Sequence, residues 1–416
     1  MKNNTNLIFY DGIVIDIMKK KILSLLAGIF IILGLFQNVS ASTYKDQLKM
    51  NTSRYIVTVS SKQDISKIKS SIPKAEVKDL SNGQAVVYSE DISKNTLKKD
   101  LSKVKNIRSI RNPVKMKIDG YSRKMNVNSA RSLEWDIPDV MADSAWSNIS
   151  QKKTVKIAVV DTGVDYNNSL LKGKIDVSDG YNFISNNSNA MDDSGHGTGV
   201  TGIIATNSNV KSKDLIGVTG NLNVEIIPVK VLDSSGTGDS DIIAEGIQYA
   251  ADKGADIINL SFGGKGLAPE IDSAIQYAKS KGSFVVAAAG NDNADVKDYS
   301  PASNSNVFTV SALNMRNSKS YYSNYGYNVQ GAAPGDNILS VELNNQYYFM
   351  TGTSMAAPIV SSVAAMVKAA NPNLNSTQIA QILDESTDKI GNQHRNIYYG
   401  YGKINAVKAV KQAVAK

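Results

Sequence analysis

Hydrophobic and polar positions fall into three regimes along the 416 residues. Near the start, an almost wholly apolar stretch from Ile22 to Phe36 follows the basic head Lys19-Lys20-Lys21. It precedes Val39-Ser40-Ala41, which sets small residues at the two positions that signal peptidase reads. About fifteen apolar residues fall short of the roughly twenty that span a bilayer. The pattern predicts a secretory signal over 18–41 cut after Ala41, with an anchor that is never removed as the alternative. Since this signal is complete from Met18 onward, residues 1–17 add nothing to it, and Met18 is read as the initiator.

The second regime, 42–131, alternates on a short scale. Arg54 to Ser60 reads as a strand by its β-branched content and alternation, and Asp64 to Ser71 as a helix with Ile65 and Ile68 on one face. Gly83 to Tyr88 is a second strand, Ser93 to Val104 a second helix, and Ile107 to Ile118 a last extended run. Strand, helix, strand or hairpin, helix, strand is the order of a small α/β plait. From Asp119 to Arg131 the chain is polar without apolar period and reads as an exposed linker. Trp135, Ile137, Val140, Met141 and Trp146 then form an amphipathic lead-in to the third regime.

In that third regime, 132–416, short apolar runs alternate with helical stretches. Val155 to Val160 is nearly continuous in apolar residues, as a parallel strand covered on both faces must be. Further strands are predicted at Glu225 to Val231, Ile257 to Leu260, Phe284 to Ala288 and Val307 to Val310. Helices are predicted at His196 to Ala205, Asp239 to Lys253, Leu267 to Lys281 and Ser354 to Ala370. The expected fold is α/β, a doubly wound, mostly parallel sheet with its ligand site at the carboxyl ends of the strands. The small plait precedes it.

Composition narrows the chemistry. The chain has no cysteine and two histidines, which excludes disulfides and thiolate metal sites and argues against a zinc hydrolase. Its net charge of +8 is unevenly divided: residues 42–131 carry 20 Lys+Arg against 8 Asp+Glu, and residues 132–416 carry 22 against 28. The two regions should attract. The basic excess lies in one segment without interleaved aromatics, so nucleic acid is not an expected partner.

Three glycine-flanked blocks supply the groups of a serine nucleophile system. Asp161-Thr162-Gly163 offers a carboxylate closing an apolar strand, and His196-Gly197-Thr198-Gly199-Val200 an imidazole opening a helix. Gly352-Thr353-Ser354-Met355-Ala356-Ala357-Pro358 sets a serine at the start of a helix of small residues, where free backbone N–H groups face a developing oxyanion. Asn291 follows a buried strand ending at Gly290 and can add a side-chain donor. His394 sits in a polar loop and is read as a surface residue.

These four blocks, in the order Asp, His, Asn, Ser, resemble the motifs of the subtilisin family, and the likeness runs from about residue 42 to the C-terminus. It implies a serine endopeptidase with Asp161, His196 and Ser354 as catalytic triad and Asn291 as oxyanion donor, needing no cofactor for its chemistry. Residues 42–131 resemble the inhibitory pro-domain and linker that precede many such peptidase domains, here 132–416. Candidate bonds for maturation are Arg131-Ser132 and, less favoured, Glu134-Trp135. The resemblance places an extended polypeptide substrate along Ser261, Phe262 and Gly263, opposite Ser235 to Gly238, with Gly290 bordering the pocket before the cut. Lys297 and Asp298 adjoin that pocket with opposite charges and leave the preference open. Gly199 stands where the family often has a second histidine. Structural calcium is possible at Asn207 to Val210 with Asp214, although Leu170 occupies a position that is a carboxylate in many relatives. A secreted, self-activated monomer, released without a stable membrane anchor, is expected; its partners are polypeptide substrate and its own pro-domain. Overall likeness to lantibiotic leader peptidases leaves open a dedicated enzyme that matures one modified peptide rather than a general protease.

Overall fold

The computed structural model describes residues 52–126, 129–151, 153–206, 214–391 and 393–416. The expected signal at 18–41 and the Asn207 to Val210 loop lie outside the described residues. In the N-terminal plait, the strands stand in the spatial order Glu76–Ser81, Gln84–Ser89, Ser53–Val59, Ile107–Arg111, all antiparallel. Helices Lys62–Ser71 and Lys94–Leu101 cover one face, where Tyr55, Val57 and Val59 meet Ile68, Leu97 and Leu101. The first predicted helix extends two residues further N-terminal, where Ser61 and Asp64 form a capping box. Asn112-Pro113 divides the predicted run from Ile107 to Ile118, because proline has no N–H for a ladder.

Alternation turns Arg54 and Ile56 to the opposite face, where Ile56, Leu80 and Val86 form a second buried cluster. This face lies on the helices Ser240–Asp252 and Pro269–Ser280 of the larger region. Arg54 pairs with Asp239 and Asp241, Arg111 with Glu270, and Lys78 Nζ with Glu245 Oε2 at 2.5 Å. The Gln248 side chain donates to the Leu80 carbonyl at 3.0 Å. Basic and acidic regions thus meet through named ion pairs, three of whose acids, Asp239, Asp241 and Glu270, are buried.

The larger region is built on seven parallel strands in the spatial order Val329–Pro334, Phe308–Leu313, Phe284–Ala288, Ile257–Leu260, Val155–Asp161, Val224–Lys230, Tyr181–Asn182. Numbered along the chain, that order is 7-6-5-4-1-3-2, so the winding reverses at Val155–Asp161. Asp161 is the last residue of that strand, at the carboxyl-end crevice that such a reversal opens. Helix Thr353–Ala370 packs against Ile257–Leu260, Phe284–Ala288 and Phe308–Leu313. Its Ala356, Ala357, Ala364 and Ala365 permit the close approach, and Ser354 is carried to the same crevice. The helix is long and apolar enough to cross a membrane, but 89% of it is buried inside the protein, as befits a core helix.

Several elements depart from the pattern. Tyr121–Met125, within the expected linker, is a strand paired antiparallel with Gln346–Thr351, which in turn pairs with Ile338–Glu342. Its side chains are mostly exposed, so no apolar alternation marks it. The short edge strand Tyr181–Asn182, the opposite edge strand Val329–Pro334, the strands Ile338–Glu342 and Gln346–Thr351, and the C-terminal helices Ser376–Glu385 and Ala406–Ala415 also lie outside the predicted elements.

Replacing Arg111 by Ala in a Ser354→Ala chain leaves the fully buried Glu270 carboxylate unpaired. Because Arg111 is itself partly exposed, the expected loss is at the lower end of the range for a broken buried pair, about 3 kcal/mol. Denaturant unfolding of the uncut chain measures it, with Arg111→Lys recovering part.

Candidate active site

A carboxylate at the buried end of a strand is costly unless hydrogen bonds satisfy it. Asp161 is fully buried, and its Oδ1 accepts from the Thr162 N–H at 2.7 Å and meets His196 Nδ1 at 2.8 Å. The imidazole therefore carries its proton on Nδ1, and Nε2 is the free base. Among the described residues Nε2 is buried and has no hydrogen-bond partner.

His196 opens the helix His196–Ile204, whose N-terminus is organised by a residue that no motif singled out. The Asp192 carboxylate accepts from the N–H groups of Ser194, Gly195 and Thr198 and from the hydroxyls of Thr162 and Thr198, at 2.6–3.0 Å. Thr162 Oγ1 accepts in turn from the Gly197 N–H at 2.9 Å. One buried acid so ties the turn after Asp161 to the turn before His196. Its only sequence signal is an acid shortly before Ser194-Gly195, the common signature of a turn. Lys230, also buried, braces the same corner by donating to the carbonyls of Thr162 and Leu232 and to Asp193 Oδ1 at 2.6–2.9 Å.

Burial is the largest influence on His196 and disfavours the imidazolium. Asp161, through charge and hydrogen bond, together with Asp192 and Glu342, outweighs it and raises the pKa above the ordinary value. Burial raises the pKa of Glu342, which faces Ser122 and His196.

Ser354, at the N-terminal end of its helix, donates its hydroxyl to the Ser261 carbonyl at 2.8 Å and has no bond to His196. Ser261 Oγ returns a hydrogen bond to the Ser354 carbonyl at 2.8 Å and accepts one from Asn259 Nδ2 at 2.9 Å. The Ser261 side chain thus anchors the helix that carries Ser354. Asn291 is oriented from the other side. Its Oδ1 accepts from the N–H and hydroxyl of Thr353, both at 2.9 Å, and Thr353 Oγ1 accepts from the Gly290 N–H at 3.0 Å. That fixes which end of the amide is the donor. Nδ2 reaches the Asp119 carbonyl at 2.6 Å.

Two cavities flank this point. One, of about 370 Å³, is bounded by Phe262, Gly263, Ala288, Gly290, Asn291 and Tyr299, which include the expected substrate residues Phe262, Gly263 and Gly290. The charged residues of the larger region at its wall are Lys265 and Asp292, in place of Lys297 and Asp298, which lie outside the lining. The other, of about 180 Å³, has Ser194, His196, Glu342, Met350 and Met355 in its wall. Gly199 is buried against Met350, and a β-carbon there would require the methionine sulfur and methyl to move aside. His394 is exposed, beside Tyr401.

Among the described residues no group of three or more His, Asp or Glu side chains is arranged to hold a metal. Leu170 packs among Val164, Leu171, Leu215 and Leu339, an apolar cluster unsuited to a cation that needs several oxygens.

The sequence model of the subtilase family matches residues 152–402, more than half of the chain. The chain belongs to the subtilase family. This subtilase is 39% identical to thermitase of Thermoactinomyces vulgaris over 67% of its own length and 96% of thermitase. It is 39% identical to the cell wall-associated protease of Bacillus subtilis strain 168 over 66% of its length, and spans 33% of that relative. Among solved structures it is similar to the epidermin leader peptide processing serine protease EpiP of Staphylococcus aureus, with a TM-score of 0.72 and 25% identity over 88% of this chain and 99% of that one. The fold is subtilisin-like, a large parallel sheet flanked by helices.

Since an imidazole serves as a base only when neutral, a general-base role for His196 predicts an acid limb of kcat/KM above the ordinary histidine midpoint of about 6.5. Glu342→Gln removes a negative charge facing the imidazole and shifts that limb to lower pH, as a pH–rate profile reads. Thr353→Val removes one of the two donors that orient the Asn291 amide, leaving the backbone N–H, and losing about one hydrogen bond of orientation lowers kcat by up to roughly tenfold. KM should change little, which steady-state kinetics separates.

Proposed function

We propose that this subtilase is a secreted serine endopeptidase, made with signal 18–41 and an inhibitory N-terminal region over about 42–131, and activated by cutting its own chain. The observation that carries the peptidase reading is the Asp161–His196 bond at 2.8 Å, which holds one imidazole nitrogen and leaves Nε2 as an unpartnered base, with His196 in the wall of one cavity and Ser354 and Asn291 in the wall of the other, both of which Asp119 borders. In this reading Ser354 turns from the Ser261 carbonyl to His196, gives up its proton and attacks a peptide carbonyl. The Asn291 amide and the N–H groups of the helix N-terminus stabilise the oxyanion. His196 then protonates the leaving amine, and a water repeats the steps in reverse to free the acid product.

Self-restraint is supported by the plait, which meets the peptidase region through Arg54, Lys78 and Arg111, and by residues 115–125, which run along the cleft. Nothing in this chemistry needs a cofactor, and one chain supplies every group, consistent with a monomer. A second reading, a dedicated leader peptidase, is favoured by the likeness to EpiP, which covers 99% of that protein including its N-terminal part.

Ser354→Ala should abolish hydrolysis of every peptide and leave the chain uncut. For Asn291→Leu, the scale known from subtilisin itself is about 10²–10³ in turnover. Mature enzyme offered casein beside a panel of leader peptides separates the two readings. A general protease degrades casein, whereas a dedicated one leaves it nearly intact and cuts one leader.

A further inference from the structure

Residues 115–125 cross the cleft in an extended conformation, held by backbone on both sides of the centre. Upstream, Lys115–Lys117 pairs antiparallel with Thr237–Asp239. Lys117 also exchanges two hydrogen bonds with Gly263, N–H to carbonyl at 3.0 Å and the reverse at 3.1 Å, and the Ile118 N–H donates to the Gly236 carbonyl at 2.9 Å. The segment is thus the middle strand of three. Downstream, Tyr121–Met125 pairs with Gln346–Thr351, the strand that leads directly into Ser354. Between these pairings the Asp119 carbonyl accepts from Asn291 Nδ2 at 2.6 Å.

We propose that Asp119–Gly120 is the bond this enzyme cuts in its own chain, selected by the glycine after it more than by the residue before it. The proposal rests on the endopeptidase reading. A strand on each side fixes the register, since a slip by one residue would break both ladders. The carbonyl that meets the oxyanion donor is therefore that of Asp119 and no other. Gly120 has φ +140°, and a β-carbon there would collide with the Thr351 carbonyl, so a larger residue fits neither the conformation nor the space. The Asp119 side chain folds back, its Oδ1 accepting from the Gly120 N–H at 3.1 Å and its Oδ2 lying 3.5 Å from Lys117 Nζ of the same segment, rather than pairing with Lys265 of the cavity wall.

The maturation bonds expected from the sequence are placed differently. Arg131–Ser132 lies in a helical turn, with Arg131 paired to Glu134 and its guanidinium over the Trp146 ring. Glu134 is buried, accepting from the Ile216 N–H at 3.1 Å. A helical turn cannot form the extended pairing by which strand-addition sites take a peptide.

The step balances with groups already present. Ser354 Oγ bonds to the Asp119 carbonyl carbon while its proton passes to His196 Nε2 and the C=O electron pair collects on the oxygen held by Asn291. Collapse breaks the C–N bond, and the Gly120 nitrogen takes the proton from His196. Water then enters by the same route, its proton returning through His196 to Ser354. Asp119 is left as a new carboxyl terminus and Gly120 as a new amino terminus.

The test follows the full-length chain and its Ser354→Ala variant through early maturation, by intact mass and N-terminal sequencing of both fragments. The expected first products end at Asp119 and begin at Gly120 in the unmodified chain, with none in Ser354→Ala. Gly120→Val should slow the cut at least about tenfold, and Asp119→Leu should keep it. Since Gly120→Val could also unseat the segment, the mature enzyme is given a synthetic Lys115–Met125 peptide with glycine or valine at the same place, and only the glycine form should be cut, after Asp119. A first cut at Arg131, Glu134 or any other bond, with Ser354→Ala uncut, overturns this assignment and leaves the endopeptidase reading standing. So does efficient cutting of both valine forms. Cutting at Asp119–Gly120 in Ser354→Ala assigns the step to another enzyme and overturns self-cleavage. A chain that neither matures nor hydrolyses casein or any peptide overturns both readings.

Discussion

The Asp161 carboxylate, fully buried at the end of a parallel strand, is the constraint on which the rest of the site depends. A charge in that position must be met by donors, and those it meets are the next residue's N–H and an imidazole 35 positions away. Holding that imidazole fixes its tautomer, its ring plane and the start of its helix. Asp192 then ties the two turns together, so acid and base form one rigid corner at the point where the sheet reverses its winding. Ser354 arrives on a separate element, the core helix, whose small residues let it lie close under the sheet. Catalytic geometry in this fold is thereby a consequence of how closely one helix can pack.

Electrostatics acts at two scales. Over the whole chain a basic N-terminal region faces an acidic remainder, which favours their association but gives no geometry. At close range Arg54 and Arg111 meet acids that are buried beneath them, and such pairs are sensitive to the loss of either partner. The plait sheet is consequently buried on both faces, one under its own helices and the other on the helices Ser240–Asp252 and Pro269–Ser280. The segment that continues from it enters the cleft with its register already set by backbone pairing.

Elements with a strong hydrophobic signature were legible from the residues. Val155–Asp161, Ile257–Leu260 and Phe284–Ala288 read as parallel strands because both their faces are buried, and the helices over 240–252, 269–280 and 353–370 fall within two residues of their predicted limits. Tyr121–Met125 was not legible. It is held by backbone pairing with Gln346–Thr351 and by polar side chains such as Ser122 and Arg123, which face Glu342 and Phe349, so its composition is that of a loop. Asp192 and Thr353 were missed for a related reason: they act through other residues, and an acid before a turn or a threonine before a serine has ordinary uses. Lys297 and Asp298 were placed by proximity along the chain, whereas the cavity wall is completed by Lys265 and Asp292 from segments that fold over it.

By itself the sequence determined the class of fold, the order of its main elements and the residue types available for chemistry, since hydrophobic period and residue identity are local properties carried by each segment. Tertiary structure alone decided which atoms meet. It turned the Ser354 hydroxyl to Ser261, set the Asn291 amide through Thr353, and laid the Asp119 carbonyl against that amide. Those contacts join segments 62 to 172 residues apart in the two amide bonds, and 93 apart at the serine, and a distance along the chain says nothing about a distance across a sheet until the strands are ordered.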